Sequence, residues 1–169
     1  DSAIFIEPYH TYGGDIFRYD FNTDSWMQLE DHTATYIESF VYDSKNNRAI
    51  LRGNYDGNNK VYAYHHQEEK WRADLGSDAV DTAISANGEY IVAASSNDKF
   101  YLFGKSSNQP IWSYTSSDNA ASVSISDDGE YIAGGSHDGK VYFFDKDSST
   151  PIWSYDTDSE IITVAISLD

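Results

Sequence analysis

Cysteine is absent from this sequence of 169 residues, and proline occurs only three times. The absence of cysteine excludes disulfides, thiolate zinc sites and cysteine nucleophiles. Basic side chains are scarce, with 11 Lys and Arg against 28 Asp and Glu, which gives a formal net charge of −17. Because such a chain repels phosphate groups, we expect no binding to nucleic acid. The longest apolar runs, such as 161–166, are far shorter than the ~18 residues of a membrane span.

Aromatic and turn-forming residues are abundant instead. The chain holds 14 Tyr, 8 Phe and 4 Trp, and 40% of its residues are apolar, which favours a packed core despite the charge. Apolar residues show no sustained helical spacing, whereas short runs alternate between apolar and polar residues as in half-buried strands. The composition therefore predicts an all-β protein.

A repeat with a period of 41 residues organises the second half of the chain. Segment 84–91 returns as 125–132, and segment 111–114 returns as 152–155, both after a shift of 41 residues. The first half carries the same unit in diverged form. Each copy holds one tryptophan: Trp26, Trp71, Trp112 and Trp153.

Each copy divides into short strands separated by turn residues. Asp-Gly pairs such as Asp128-Gly129 and Asp138-Gly139 favour tight hairpins. Four-stranded units of about 40 residues arranged around an axis form a β-propeller. We therefore predict a single β-propeller domain with four blades of four antiparallel strands. The predicted blades are 1–30 together with 162–169, 35–75, 79–116 and 120–156.

The two ends of the chain suggest how the ring closes. The first copy lacks its first strand, and residues 162–168 supply a lone first strand at the C-terminus. We predict that this strand completes the first blade within a monomer, which protects exposed sheet edges. A head-to-tail homodimer that forms an eight-bladed ring satisfies the same pattern, and so does a fragment of a larger propeller.

Several motifs resemble known propeller repeats. Residues 121–141, ASVSISDDGEYIAGGSHDGKV, resemble a WD-repeat blade, although Phe144-Asp145 stands near the place of that family's Trp-Asp pair. The segments 139–142 and 152–155 are similar to quinoprotein-type repeats, and 19–26, YDFNTDSW, resembles a kelch blade. These resemblances imply a propeller fold. They carry over no cofactor site, so no cofactor is expected.

The first strand of each predicted blade lines a central channel, which suggests a cation site. The repeat register places Glu38, Asp81, Ser122 and Thr163 at equivalent positions. Because Ca²⁺ favours clustered oxygen ligands, Glu38 and Asp81 are candidate metal ligands. The alternative is that these side chains face water in the channel or bond to neighbouring backbone.

The sequence contains no nucleophile elbow, P-loop or metalloprotease motif, so we do not expect an enzyme. A hydrolase or quinone-linked enzyme ranks third, after the two hypotheses that follow. We expect a non-enzymatic interaction module that binds a protein with a basic surface. The candidate contact residues lie in two polar loops: Tyr9, His10, Tyr12 and Tyr55. The alternative is a carbohydrate- or cation-binding propeller at the cell surface. We expect an extracellular or cell-surface location, with the cytoplasm as the alternative.

Overall fold

The structure, a computed structural model, describes part of the chain. Its backbone is described over 2–6, 16–20, 25–30, 36–43, 48–54, 59–65 and 68–167. Side chains are described for Ile50, Lys60, Val61, Ala63 and 71–167.

The described residues form antiparallel strands in four sheets, which confirms the all-β prediction. The first sheet contains β1 (Ser2–Ile6), β2 (Ile16–Asp20) and β3 (Ser25–Glu30). The second contains β4 (Tyr36–Asp43), β5 (Arg48–Asn54), β6 (Asn59–His65) and β7 (Glu68–Ala73). The third contains β8 (Ala79–Ile84), β9 (Tyr90–Ser95), β10 (Lys99–Gly104) and β11 (Pro110–Thr115). The fourth contains β12 (Ala120–Ile125), β13 (Tyr131–Ser136), β14 (Lys140–Asp145) and β15 (Trp153–Asp156).

Alternating side chains and glycine turns explain these strands. In β14, Tyr142 and Phe144 are buried against the third sheet, whereas Phe143 between them points to the opposite side. Gly129 and Gly139 adopt φ angles of 79° and 81° in the first two hairpins of the fourth sheet, a conformation that other residues rarely reach. The local sequence pattern therefore sets both the strands and their turns.

The described core lies between the second and third sheets and between the third and fourth sheets. Ile50, Val61 and Trp71 of the second sheet pack against Ile91 and Phe103 of the third. A second buried cluster joins the third and fourth sheets in the same way. Sheets that stack face to face in chain order are the arrangement of propeller blades.

The C-terminal segment 161–167 differs from the prediction because the structure assigns no strand to it. Its backbone N–H groups donate to side-chain hydroxyls of β12: Val164 to Ser122 Oγ at 3.3 Å and Ile166 to Ser124 Oγ at 3.1 Å. The first sheet contains three described strands, and this segment is not among them. Closure of the ring by residues 162–168 and the number of blades therefore stay predictions.

Candidate functional site

A repeated bulge sets the register of the channel-lining strands and changes one predicted equivalence. The bulge leaves Glu38 out of the pairing of β4 with β5, and it leaves Val80 out of the pairing of β8 with β9. Asp81 follows its bulge, as Ser122 does in β12, so the equivalent residue in β4 is Ser39 rather than Glu38. The sequence alignment therefore placed Glu38 one residue away from the position equivalent to Asp81.

Asp81, the second candidate metal ligand, links two blades. Its Oδ2 accepts hydrogen bonds of 2.9 Å from Ser122 Oγ and from the Val123 N–H of the next sheet. Its Oδ1 accepts a 2.9 Å bond from the Thr82 N–H. Both carboxylate oxygens therefore bond to protein groups. The described side chains contain no group of three or more His, Asp or Glu residues that could hold a metal ion, and the calcium site stays a prediction.

The predicted partner-binding residues cannot be placed on the fold. Tyr9, His10, Tyr12 and Tyr55 lie outside the described residues, as does the side chain of Glu38.

The described blades have one strongly acidic end. Hydrogen bonds such as Ser96 N–H to Asp78 O and Ser116 N–H to Asp98 O bring together the loops at this end. We define the acidic end by its five loops, which are 74–78, 96–98, 116–119, 137–139 and 156–160. These loops contain no Lys or Arg, and they carry eight carboxylates: Asp74, Asp78, Asp98, Asp118, Asp138, Asp156, Asp158 and Glu160. All eight residues are exposed or half-buried.

The sequence contained a signal for this end that was missed. In a four-stranded antiparallel blade, the loop between the second and third strands leaves the sheet at the same end as the loop to the next blade. Counting charges over these two loop classes separately would have shown the asymmetry, whereas the overall net charge conceals it.

At the opposite end, two lysines pair with carboxylates. Lys105 forms an ion pair with Glu89, and the Lys146 ammonium lies 3.2 Å from Glu130 and 3.0 Å from Asp147. Hydrogen bonding to Asp147 and Glu130 raises the pKa of Lys146. A groove of about 440 Å³ in the third sheet is also lined by Lys105 and Glu89. Its charged groups are therefore paired with each other.

Hydrogen bonds keep carboxylates of the acidic end ionised. The Gly76 N–H donates to Asp74 and lowers the pKa of that carboxyl, and Lys60 of β6 lies 3.5 Å from it. For Asp138, burial alone raises the pKa, but donation from Tyr142 Oη and from the Ser117 N–H outweighs burial, so the pKa is lowered. These two carboxyls therefore keep their negative charge in mildly acidic solution.

The described residues contain no helix of the length and apolar character that crossing a bilayer requires. This observation concerns the described part of the chain.

Comparisons with known proteins agree with the fold. Comparison with curated protein sequences finds none that matches. Among solved structures, a chain in the crystal structure of the mitotic checkpoint complex superposes with a TM-score of 0.66 and 19% identity. The match covers 83% of this chain and 45% of the length of that one, and at this identity it shows the fold alone.

The sequence profile that matches covers most of the chain. Residues 56–168 match the family described as outer membrane protein assembly factor BamB. This match confirms the predicted propeller repeats in the second half. The kelch resemblance of residues 19–26 lies outside the matched region and stays a prediction. The chain therefore belongs to the outer membrane protein assembly factor BamB family of β-propeller repeat proteins.

Proposed function

We propose that this chain is a non-enzymatic scaffold whose acidic end binds a protein with a basic surface. The observation that carries the proposal is the charge of that end, where five described loops hold eight carboxylates and no Lys or Arg. A surface with an excess of negative charge attracts an oppositely charged partner and speeds its association. The opposite end has a smaller excess, because Lys105 and Lys146 pair with acidic groups there.

The loops of the acidic end are held in place by the blades. Asp138 of one blade accepts a 3.0 Å hydrogen bond from the Ser117 N–H in the loop before it. Ser116 Oγ lies within hydrogen-bonding distance of two carbonyl oxygens, Asp98 O at 2.8 Å and Asp118 O at 2.7 Å. A pre-ordered surface loses little conformational entropy when it binds, which favours recognition.

Both similar groups of proteins support a role in binding proteins. The family is described as an assembly factor for outer membrane proteins, and the similar solved chain is part of a protein complex. We further propose that the chain binds no cofactor and that it acts outside the cell or at the cell surface. Asp81 and Asp138 support the non-enzymatic part of the proposal, because their carboxylates are engaged in bonds between blades.

A binding experiment with matched charge variants tests the proposal. The probe is an oligolysine peptide on a biosensor surface. Variant one carries D118N, D156N and D158N at the acidic end, and variant two carries D127N, D128N and D147N at the opposite end. Both variants lose three negative charges, so non-specific attraction weakens equally in the two.

We expect binding by the unmodified chain that weakens as salt rises, a loss of about tenfold or more in variant one, and a smaller loss in variant two. Equal losses in the two variants would contradict recognition by the acidic end. A rise in melting temperature on adding Ca²⁺, with no peptide binding, would favour the cation-binding alternative instead.

A further inference from the structure

Two side chains, on the first strands of the third and fourth sheets, reach to the unit that follows them. Asp81 of β8 accepts a 2.9 Å hydrogen bond from the Val123 N–H, which lies 42 residues later in the chain. Ser122 of β12 stands at the equivalent position after its bulge, and it accepts a 3.3 Å bond from the Val164 N–H, again 42 residues later. The repeat therefore uses this position to hold the segment that begins the following unit.

A carboxylate and a hydroxyl differ in how they can fill this position. An ionised carboxylate only accepts hydrogen bonds, whereas a hydroxyl also donates one and can turn its proton toward either neighbour. Ser122 is 5% exposed, so its hydroxyl depends on protein groups for partners. It accepts from the Val164 N–H only while its own proton points elsewhere. The direction of the Ser122 proton therefore decides the strength of the contact with Val164.

Asp81 sets this direction. Ser122 Oγ donates to Asp81 Oδ2 at 2.9 Å, and among the described residues Asp81 is the acceptor for this hydroxyl. The carboxylate is itself held, because Oδ1 accepts from the Thr82 N–H and Oδ2 also accepts from the Val123 N–H. Hydrogen bonds in a chain polarise one another, so a hydroxyl that donates to a carboxylate becomes a better acceptor. The bonds therefore form a chain from the Val164 N–H through Ser122 Oγ to Asp81.

Segment 161–167 has a second contact with a serine of β12, which provides a comparison. The Ile166 N–H donates to Ser124 Oγ at 3.1 Å. Within the described part of the chain no carboxylate bonds to Ser124 Oγ, and the residue at the equivalent position of the third sheet is Ala83. The segment therefore has one hydroxyl contact that a carboxylate supports and one that no described carboxylate supports.

We propose that Asp81 of the third sheet is a positioning residue for segment 161–167, and that it acts through the hydroxyl of Ser122. A charged group in one sheet then controls how firmly a segment lies on the next sheet, although the two do not bond directly. Loop 156–160 of the acidic end leads from β15 to this segment, so the same chain of bonds fixes the far end of that loop. The linkage itself is independent of the partner that the acidic end binds.

Amide hydrogen exchange followed by NMR tests this proposal. The rates are measured for the unmodified chain, Asp81→Ala, Ser122→Ala and the double variant of these two. The Val164 amide is the reporter, and the Ile166 amide is the internal reference for general loosening of the segment. Ser124→Ala is the matched control, because it removes one hydroxyl from the same strand and leaves the bonds of Asp81 in place.

We expect Asp81→Ala to speed exchange at Val164 about threefold or more relative to Ile166, because the Ser122 hydroxyl loses the acceptor that orients it. Ser122→Ala should speed exchange at Val164 at least as much. Adding Asp81→Ala to Ser122→Ala should change the ratio of the two rates no further, since the hydroxyl through which Asp81 acts is already gone. Ser124→Ala should speed exchange at Ile166 and leave Val164 nearly unchanged.

Three results would overturn the proposal. The first is an unchanged ratio of the Val164 and Ile166 rates in Asp81→Ala, and the second is equal acceleration at both amides. The third is an additive effect in the double variant, which would mean that Asp81 acts by another route. If circular dichroism shows that Asp81→Ala has lost its strands, Asp81→Asn takes its place, because an amide offers one acceptor oxygen where the carboxylate offers two. The same direction of change is expected, and the same three results would contradict it.

Discussion

Adding one methyl group at Gly134 should disrupt the contact between the third and fourth blades. A Cβ at this position would lie 2.7 Å from Phe100 Cε1 and 2.9 Å from Phe100 Cζ, closer than carbon atoms approach in proteins. Phe100 is 1% exposed and packs against Tyr142 and Phe144, with ring centroids 5.9 and 6.2 Å away. The ring therefore has little space into which it can move.

Two opposing effects decide the size of the change. Gly134 has no positive φ angle, so alanine fits the backbone and would stabilise the strand by about 0.5–1 kcal/mol. Overpacking a close-packed interface costs about 1–3 kcal/mol. Because the methyl group meets a ring that is held on several sides, we expect the overpacking cost to exceed the backbone gain. We therefore expect Gly134→Ala to lower the free energy of unfolding by about 1–2 kcal/mol.

Urea unfolding followed by tryptophan fluorescence measures this change. The second variant is Gly134→Ala with Phe100→Leu, because the smaller side chain removes the ring atoms that the methyl group meets. If the clash is the cause, the double variant is more stable than the sum of the two single changes, with a coupling of about 1 kcal/mol or more. A Gly134→Ala variant as stable as the unmodified chain, or additive effects, would refute the reasoning.

Three further changes test other contacts in the second half of the chain. Trp112→Phe keeps an apolar ring but loses the indole hydrogen bond, so urea unfolding should show a loss of about 1 kcal/mol, and an unchanged midpoint would contradict this. The pKa of Asp138 is lowered, so its bond with Tyr142 stabilises the fold above the usual carboxyl pKa, and this stabilisation is lost as the pH falls through the lowered pKa. The melting temperatures of Asp138→Asn and the unmodified chain, measured against pH, should therefore converge in acid. A constant difference between them at every pH would disprove this. Gly135→Ala would place a Cβ in overlap with the Ile161 side chain, so it should speed proteolysis within 161–167. Equal cleavage rates would count against that packing.

The strands and the repeat were predictable because they depend on local patterns. Alternation of apolar and polar residues in 140–145 predicts the strand that the structure contains, and Asp138-Gly139 predicts the hairpin before it. The shift of 41 residues between 111–114 and 152–155 predicts successive units of one kind. Periodicity and turn chemistry act between residues that are close in the chain, so the sequence alone reveals them.

The candidate site was less predictable because its contacts cross between blades. The sequence proposed Asp81 as a metal ligand, whereas the structure bonds it to Ser122 and to the Val123 N–H, both more than 40 residues away in the chain. The sequence register also aligned Glu38 where the bulge places Ser39. Neither a bulge nor a hydrogen bond between sheets leaves a regular trace in the order of residues.

The sequence by itself determined an all-β chain of similar units, with one tryptophan in each unit. Only the tertiary structure decided which faces Trp71, Trp112 and Trp153 occupy and what lies on those faces. Trp112 and Trp153 stand at the same place in their repeats, yet one bonds to Lys146 of the next blade and the other is 47% exposed. The physical reason is that burial depends on which neighbour stacks on a sheet, and identical local sequences carry no information about that neighbour.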